Sequence, residues 1–335
     1  MKARIVYNPL SGGARGEQEL EEVERYLQSL GWEVDRRCSS HDLSPTDLAR
    51  DGVRDGCEAI IAAGGDGTIN QVIQALAGTD VALGAIPRGT GNAWARQVAL
   101  PWNNPKAAAR VLGECETRRI DLGRADGRYF LLMAGVGFDA EVTRQLDRRL
   151  KKRYGILAYW IVGVRLAFKW RGVPVTLEFD GQRRRGRALM MVVSNCRLYG
   201  GTARIAYRAL IDDGLLDVTL LRGSSFLDSV AHLFRVMLGG RVPNPEMEYY
   251  RVQRIGIGSS HRLAVQIDGD PAGETPMTFT IAPGALKVLI PRDAPRDIFV
   301  DSAKEPTPIS PTVVLQQLRE VTRNWFREWR RDREG

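Results

Sequence analysis

The stretch Ala59-Ile60-Ile61-Ala62-Ala63-Gly64-Gly65-Asp66-Gly67-Thr68-Ile69-Asn70 decides the fold. Its uninterrupted apolar opening reads as a strand buried on both faces. A helical pattern from Thr68 to Ala77 follows at once, so the glycines between them form a strand-to-helix turn. Gly64, Gly65 and Gly67 let the backbone approach a ligand with no Cβ in the way. Backbone N–H groups there, with the positive end of the helix dipole behind them, make a phosphate site. Asp66 is out of place beside a phosphate unless a Mg²⁺ or a proton lies between them. A tight turn in which Asp66 only caps the helix is the plainer alternative.

The same alternation continues on both sides. Ile5-Val6-Tyr7, Trp32–Arg37 and Val81–Ile86 read as strands, and Glu17–Leu30 and Thr46–Arg54 as helices. Strands alternating with helices predict a parallel sheet, which places its ligands beyond the carboxyl ends of the strands. Two further turns lie at such ends, Asn8-Pro9-Leu10-Ser11-Gly12-Gly13 and Pro87-Arg88-Gly89-Thr90-Gly91-Asn92. Each alone is a weak signal, but three on one sheet converge on one crevice. The P-loop pattern is absent, so this is not a Walker-type site.

From Tyr129 onward strands dominate: Tyr129–Val136, Val173–Asp180, Arg187–Ser194, Leu215–Leu221, Arg251–Gly258, Leu263–Ile267, Met277–Ile281 and Ala285–Ile290. Asp180-Gly181 signals a hairpin. Helical interruptions are expected at Ala140–Trp170 and Ser225–Leu238. The pattern predicts an α/β domain over 1–124 and a β-rich, sandwich-like domain over 125–292. A proline-bearing linker, 293–311, returns to the first domain, and 312–335 is a basic amphipathic helix. Gly135-Val136-Gly137-Phe138-Asp139-Ala140 fits a dinucleotide fingerprint, but it lies outside the first βαβ unit. The acidic residue expected about twenty positions on is missing, which argues against a nicotinamide cofactor.

Composition narrows the classes. Lys+Arg 48 against Asp+Glu 40 in 335 residues leaves a net charge of +8, and 44% hydrophobic residues exclude a mainly disordered chain. The cysteines (Cys38, Cys57, Cys115, Cys196) are scattered and read as reduced thiols rather than a zinc site. Three histidines supply a His-based triad or two-His metal centre poorly. The apolar run Gly155–Val164 is about half of the ~20 residues a membrane span needs. The N-terminus lacks the apolar core of a signal peptide. A cytoplasmic protein is expected.

Together these residues resemble the diacylglycerol kinase catalytic-domain family, in particular its soluble bacterial lipid-kinase branch, with sphingosine and ceramide kinases as relatives. The likeness runs from Asn8 to about Gly273. It rests on Asn8-Pro9 with Ser11-Gly12, the Gly64–Asn70 loop, Gly89-Thr90-Gly91-Asn92, Ile120-Asp121-Leu122-Gly123, Gly135–Ala140, Asp212–Asp217 and Ile267-Asp268-Gly269. The resemblance implies an ATP-binding α/β domain and a β-sandwich lipid-substrate domain. It implies transfer of the γ-phosphate of ATP to a lipid hydroxyl, most simply diacylglycerol to phosphatidic acid, within phospholipid metabolism.

By the same resemblance, Asn8, Pro9, Ser11, Gly12, Gly64, Gly65, Asp66, Gly67, Thr68, Ile69, Asn70, Gly89, Thr90 and Asn92 line the ATP site, with a contact from Ser40. Asp66 and Asp121 organise the catalytic Mg²⁺, and Asp268 accepts the proton. A second, structural Mg²⁺ would use Asp213 with the carbonyls of Leu210 and Leu215. Two positions depart from the pattern. Ala93 stands where most bacterial relatives carry Asp, which keeps a sphingoid base or another lipid alcohol open as acceptor. Asp270 replaces the usual Glu and shifts a contact to ATP. A non-catalytic nucleotide- or lipid-binding protein is the remaining alternative.

A lipid kinase must meet its substrate at an interface. Residues 144–171 hold nine Lys/Arg against one acid, interleaved with Tyr154, Tyr159, Trp160, Phe168 and Trp170. Such a segment suits the anionic inner face of a membrane, as peripheral association. Arg183–Arg185 and Arg187 extend the patch. In 312–335, Val314, Leu318, Val321, Trp325 and Trp329 share one helical face among arginines. No nucleic-acid reader motif accompanies this charge. The oligomeric state stays open, a homodimer included.

Overall fold

The computed structural model describes residues 1–9, 16–145, 162, 166, 170–199, 203–222 and 247–302. Ser11 and Gly12, most of the basic-aromatic segment 144–171, the expected helix Ser225–Leu238 and the C-terminal helix lie outside the described residues.

The first domain alternates as its sequence predicts: β1 (Lys2–Tyr7), α1 (Gly16–Ser29), β2 (Glu33–Cys38), α2 (Pro45–Arg54), β3 (Ala59–Gly64), α3 (Asp66–Leu76), β4 (Ala82–Pro87), α4 (Ala93–Gln97) and α5 (Pro105–Gly113). The four strands pair in parallel in the order β2-β1-β3-β4. Every residue of β3 and β4 is buried, which is why both read as unbroken apolar runs. Helix α1 turns Leu20, Val23 and Leu27 inward at helical spacing. Helix α2 starts at a capping box, with Ser44 and Asp47 bonded reciprocally and Pro45 in the first turn.

The remaining elements are β5 (Glu116–Ala125), β6 (Arg128–Phe130), β7 (Met133–Gly137), α6 (Phe138–Gln145), β8 (Val173–Phe179), β9 (Gln182–Ala188), β10 (Met190–Ser194), β11 (Leu198–Tyr199), β12 (Ala203–Arg204), β13 (Leu216–Leu221), β14 (Met247–Val252), β15 (Arg254–Ser259), β16 (Ala264–Ile267), β17 (Asp270–Glu274) and β18 (Met277–Ile290). The first sheet continues from β4 through β18, β15 and β8 to β9, and β5 and β6 join it beside β18. A second, antiparallel sheet runs β14-β13-β10-β7-β16-β17. Phe130, Val136, Val218, Ile255 and Phe279 fill the core of the resulting sandwich. Strand β18 starts in the sandwich against β15 and ends parallel to β4. Its Leu286, Val288 and Ile290 belong to the first domain's core, as do Ala294, Ile298 and Phe299 beyond it.

Three runs expected as single strands are each divided. Tyr129–Val136 breaks at Leu131-Leu132, Arg187–Ser194 at Leu189, and Arg251–Gly258 at Gln253. In every case one piece lies in the first sheet and the other in the second. The apolar pattern stays continuous because both sheets face one core, while the chain turns a corner between them. The opposite happens at Met277–Ile281 and Ala285–Ile290, which form one strand with an irregularity between Ala282 and Leu286. The expected strands do not include β5 or β17, and within the helix expected over 140–170 the structure describes α6, ending at Gln145, and the helical residues 162 and 166.

Candidate active site

The carboxyl ends of β1, β3 and β4 lie on one edge of a parallel sheet, so the bends that follow β3 and β4 face one crevice. The two glycine bends there touch. A Cβ on Gly89 would stand 2.6 Å from the Gly65 Cα, and one on Gly65 would stand 3.2 Å from the Gly89 Cα. A Cβ on Gly64 would meet the Thr68 hydroxyl at 2.3 Å. Gly65 and Gly89 are glycine because their backbones lie too close for a side chain between them, and Gly64 because the Thr68 side chain fills the space. Arg88 N–H donates to the Gly64 carbonyl at 2.9 Å and joins the bends behind the glycines.

Helix α3 opens into this crevice with Gly65 at its N-cap, a residue that has no side chain to cap it. An uncapped eleven-residue helix facing glycine-lined space suits a phosphate. Arg88 Nε is buried with no hydrogen-bond partner among the described residues, and burial pulls this guanidinium below its usual pKa. Asp66 does not cap its own helix. Its two oxygens accept from the Ala93 and Trp94 amides at 3.0 and 3.1 Å, which caps α4. The plainer reading of Asp66 as a cap is thus correct in kind, on the neighbouring helix.

Asn92 is scaffold. Its Oδ1 accepts from Gly89 N–H, and its Nδ2 donates to the carbonyls of Gly89 and Trp102. Thr90 is exposed at the mouth, and Ile69 is packed in the core. Ser40, exposed after β2, turns its hydroxyl back to accept from Leu43 N–H. Asn8 is half-buried and Pro9 exposed at the end of β1.

Opposite the bends stands Asp268. It forms with Gly269 the two-residue turn between β16 and β17, both residues at positive φ (49° and 88°). Asp126-Gly127 and Asp180-Gly181 make similar turns. Only at Asp268 does the aspartate of such a turn collect four donors. Oδ1 accepts from the amides of Leu132 (3.0 Å) and Met133 (2.9 Å). Oδ2 accepts from Leu131 N–H (2.9 Å) and Asn70 Nδ2 (2.8 Å). The amides come from the corner where β6 leaves the first sheet for β7. Burial pushes the Asp268 carboxyl up, and these donors pull it back toward the charged form.

Asn70 sits in α3, so the carboxylate is tied directly to the helix that opens into the glycine-lined crevice. Asp270 reaches the same helix, with Oδ2 4.0 Å from where a Gly67 Cβ would stand. Cys196 lies between the two halves: burial pushes its thiol well up, and the Asp268 and Asp66 carboxylates add to this.

The Asp121 carboxylate is buried and accepts from the amides of Gly214 (2.6 Å) and Gly284 (2.7 Å). At the turn beyond it, Asp213 accepts from Leu215 N–H and pairs with Arg251. Leu210 and Leu215 flank that turn, half-buried. The Arg251 guanidinium occupies the side of Asp213 that a cation would need, so the residues present fit a structural Mg²⁺ poorly. Among the described residues, no group of three His, Cys, Asp or Glu side chains could hold a metal ion.

Sequence reasoning missed several members of the site. Arg128 Nη2 donates to Asn70 Oδ1 at 3.1 Å and lies 3.7 Å from Asp270 Oδ2. Gln266 donates to Asp139 Oδ2 at 2.6 Å and accepts from Gly269 N–H at 2.7 Å, fixing the Asp268 turn from below. This also explains the dinucleotide-like motif: a Cβ on Gly135 would stand 2.0 Å from Asp139 Oδ2. The motif's first glycine makes room for a buried carboxylate, and the motif lies in the antiparallel sheet. No spacing rule marks Arg128 or Gln266, although Asp126-Gly127 announces the hairpin that presents Arg128.

Comparison with known proteins agrees with this geometry. Residues 2–125 match the model of the diacylglycerol kinase catalytic domain, and residues 133–290 match the YegS C-terminal NAD kinase beta sandwich-like domain. Diacylglycerol kinase of Bacillus subtilis (strain 168) is 29% identical over 294 residues, 87% of this chain and 97% of that protein. The Staphylococcus carnosus (strain TM300) diacylglycerol kinase is 28% identical over 295 residues, 87% and 96% of the two chains. A crystal structure of a diacylglycerol kinase from Bacillus anthracis str. Sterne superposes with a TM-score of 0.68 at 19% identity, over 87% of this chain and 97% of that one. Another chain from that organism reaches 0.75 at 22% identity, covering 88% and 98%. These structural likenesses establish the fold.

Proposed function

The chain belongs to the diacylglycerol kinase catalytic-domain family, and on that footing we propose that it transfers the γ-phosphate of ATP to a lipid hydroxyl, diacylglycerol being the acceptor. One observation carries the reading. The Asp268 carboxylate, on the sandwich domain, is hydrogen-bonded through Asn70 to the uncapped helix of the glycine-lined crevice. A phosphate cradle and a proton acceptor in one constellation are what phosphoryl transfer to an alcohol requires.

The residues divide the work. The Gly64–Gly67 and Gly89–Asn92 bends hold the phosphates through backbone N–H groups, with Arg88 behind them. Asp268 orients the acceptor hydroxyl and takes its proton as the oxygen attacks phosphorus. Asp66, a hard oxygen donor at the crevice, would hold Mg²⁺ arriving with the nucleotide, and the ion would neutralise phosphate charge. Access to lipid is supported by the exposed arginines of β9, Arg183, Arg184, Arg185 and Arg187, which suit an anionic membrane surface. Among the described residues no helix is long and apolar enough to cross a membrane.

The test is purified protein with γ-labelled ATP, Mg²⁺ and mixed micelles of diacylglycerol, sphingosine, ceramide or monoacylglycerol. Label in phosphatidic acid supports the proposal, and label only in another lipid moves the acceptor. No labelled lipid from any acceptor favours a binding protein that kept the fold.

A further inference from the structure

We infer that Arg128 is a catalytic residue that grips the phosphoryl group in transit, an inference that rests on the kinase reading above. Arg128 opens β6, presented by the Asp126-Gly127 turn whose two positive φ values (42° and 95°) set the direction of the strand that follows. Its Nη2 donates to Asn70 Oδ1 at 3.1 Å, while Asn70 Nδ2 donates to Asp268 at 2.8 Å. One asparagine thus has the guanidinium on one side of its amide and the proton acceptor on the other. Because Asn70 also belongs to α3, all three groups lie at the junction of phosphate cradle and acceptor site. The phosphoryl group must cross that junction.

The guanidinium is available there. Asn70 is its one hydrogen-bond partner among the described residues, so most of its five N–H donors are unused by them. The ion pair with Asp270 spans 3.7 Å between side chains 36% and 46% exposed. Such a pair contributes little and releases its partner readily. Asp270 itself stands beside Gly67 in the cradle, so it holds Arg128 at the mouth until a phosphate replaces it. A planar guanidinium binds two phosphate oxygens at once, and a cation on the equatorial oxygens stabilises the spread charge of the transition state. Arg88, on the other side of the glycine bends, is placed for the inner phosphates, which leaves the terminal one to Arg128.

The experiment compares binding of Mg-ATP and Mg-ADP to the full chain, Arg128→Ala and Arg128→Lys by calorimetry, alongside lipid phosphorylation. Arg128→Ala is expected to weaken ATP about tenfold and leave ADP within about twofold, with Arg128→Lys intermediate. Its turnover should fall at least about 100-fold, the scale of losing one transition-state donor, and added guanidinium should restore part of it. Equal weakening of both nucleotides, or of neither, overturns the inference. An ATP-selective loss in a protein that phosphorylates no lipid upholds Arg128 and removes the lipid-kinase reading. A full chain that binds neither nucleotide ends both.

Discussion

Asn70 Nδ2 donates to Asp268 Oδ2 across 2.8 Å, and 198 residues of chain separate the two. The bond joins the first turns of α3 to the hairpin between β16 and β17, and so ties the glycine-lined half of the crevice to the half that carries Asp268. The consequences are checked most directly by changing the groups that hold this junction together.

Asp268→Asn should abolish transfer and also loosen the turn. A carboxylate accepts from all four surrounding N–H donors, whereas an amide accepts on one side only and turns its own NH₂ toward the other two. Two orphaned donors cost about 2–6 kcal/mol together. Turnover should fall at least about 100-fold, the lower end for loss of a general base, with ATP affinity within a fewfold. Denaturant unfolding and single-turnover transfer read the two effects separately, and a fully active variant removes Asp268 as the base.

Gly89→Ala should damage nucleotide binding more than stability elsewhere. The new Cβ would sit 2.6 Å from the Gly65 Cα and 2.9 Å from Asn92 Oδ1, so the two bends must separate. ATP affinity is expected to drop at least about tenfold, with a stability loss of about 1–3 kcal/mol from the overpacking. Calorimetry with Mg-ATP measures the first and thermal unfolding the second. Unchanged affinity would show that the bends need not touch to bind phosphate.

Gly135→Ala reports on the support beneath the Asp268 turn. Its Cβ would overlap Asp139 Oδ2 and come within 2.7 Å of Gln266 Nε2, displacing the amide that holds Gly269. Stability should fall by about 1–3 kcal/mol, and kcat should fall while the KM for ATP stays near its original value. Gly181→Ala is the comparison: nothing lies near its Cβ, so only the backbone cost of positive φ, about 1–2 kcal/mol, is expected. Equal kcat in the two variants would separate Gly135 from the turn.

Asp217 should make stability fall as pH rises through the mildly acidic range. It is fully buried on β13, and burial pushes its carboxyl up to about 6, against the pull of Tyr249 and Arg251. The folded state therefore holds this proton more tightly than the unfolded state, where the group titrates near 4. Its stabilising contribution is complete below about pH 4, is lost between about 4 and 6, and stays lost above. The loss is of order 3 kcal/mol. Asp217→Asn should flatten that part of the pH–stability curve, measured by urea unfolding from pH 4 to 7.5. An unchanged slope would assign it to another group.

The glycine bends were legible because close backbone approach leaves a mark in composition: only glycine survives where Gly65 meets Gly89. The parallel sheet was legible for a similar reason, since β3 and β4 are buried on both faces and carry no polar residue. The sandwich was legible as a class but not as a topology. Runs such as Tyr129–Val136 keep their apolar pattern while changing sheets, so periodicity alone hides the corner at Leu131-Leu132. That corner supplies three of the four donors to Asp268.

Residue order by itself determined the alternating first domain, the strand-rich second one and the bends where phosphate would sit, because backbone conformation and burial act locally and leave local signatures. The tertiary structure alone decided the partners of the charged groups. It put Asp66 on the amides of α4, set Asp121 on those of Gly214 and Gly284, and brought Arg128 to Asn70. A charge is stabilised by whatever dipoles and counter-charges surround it in space, and those come from strands that the chain order does not place side by side.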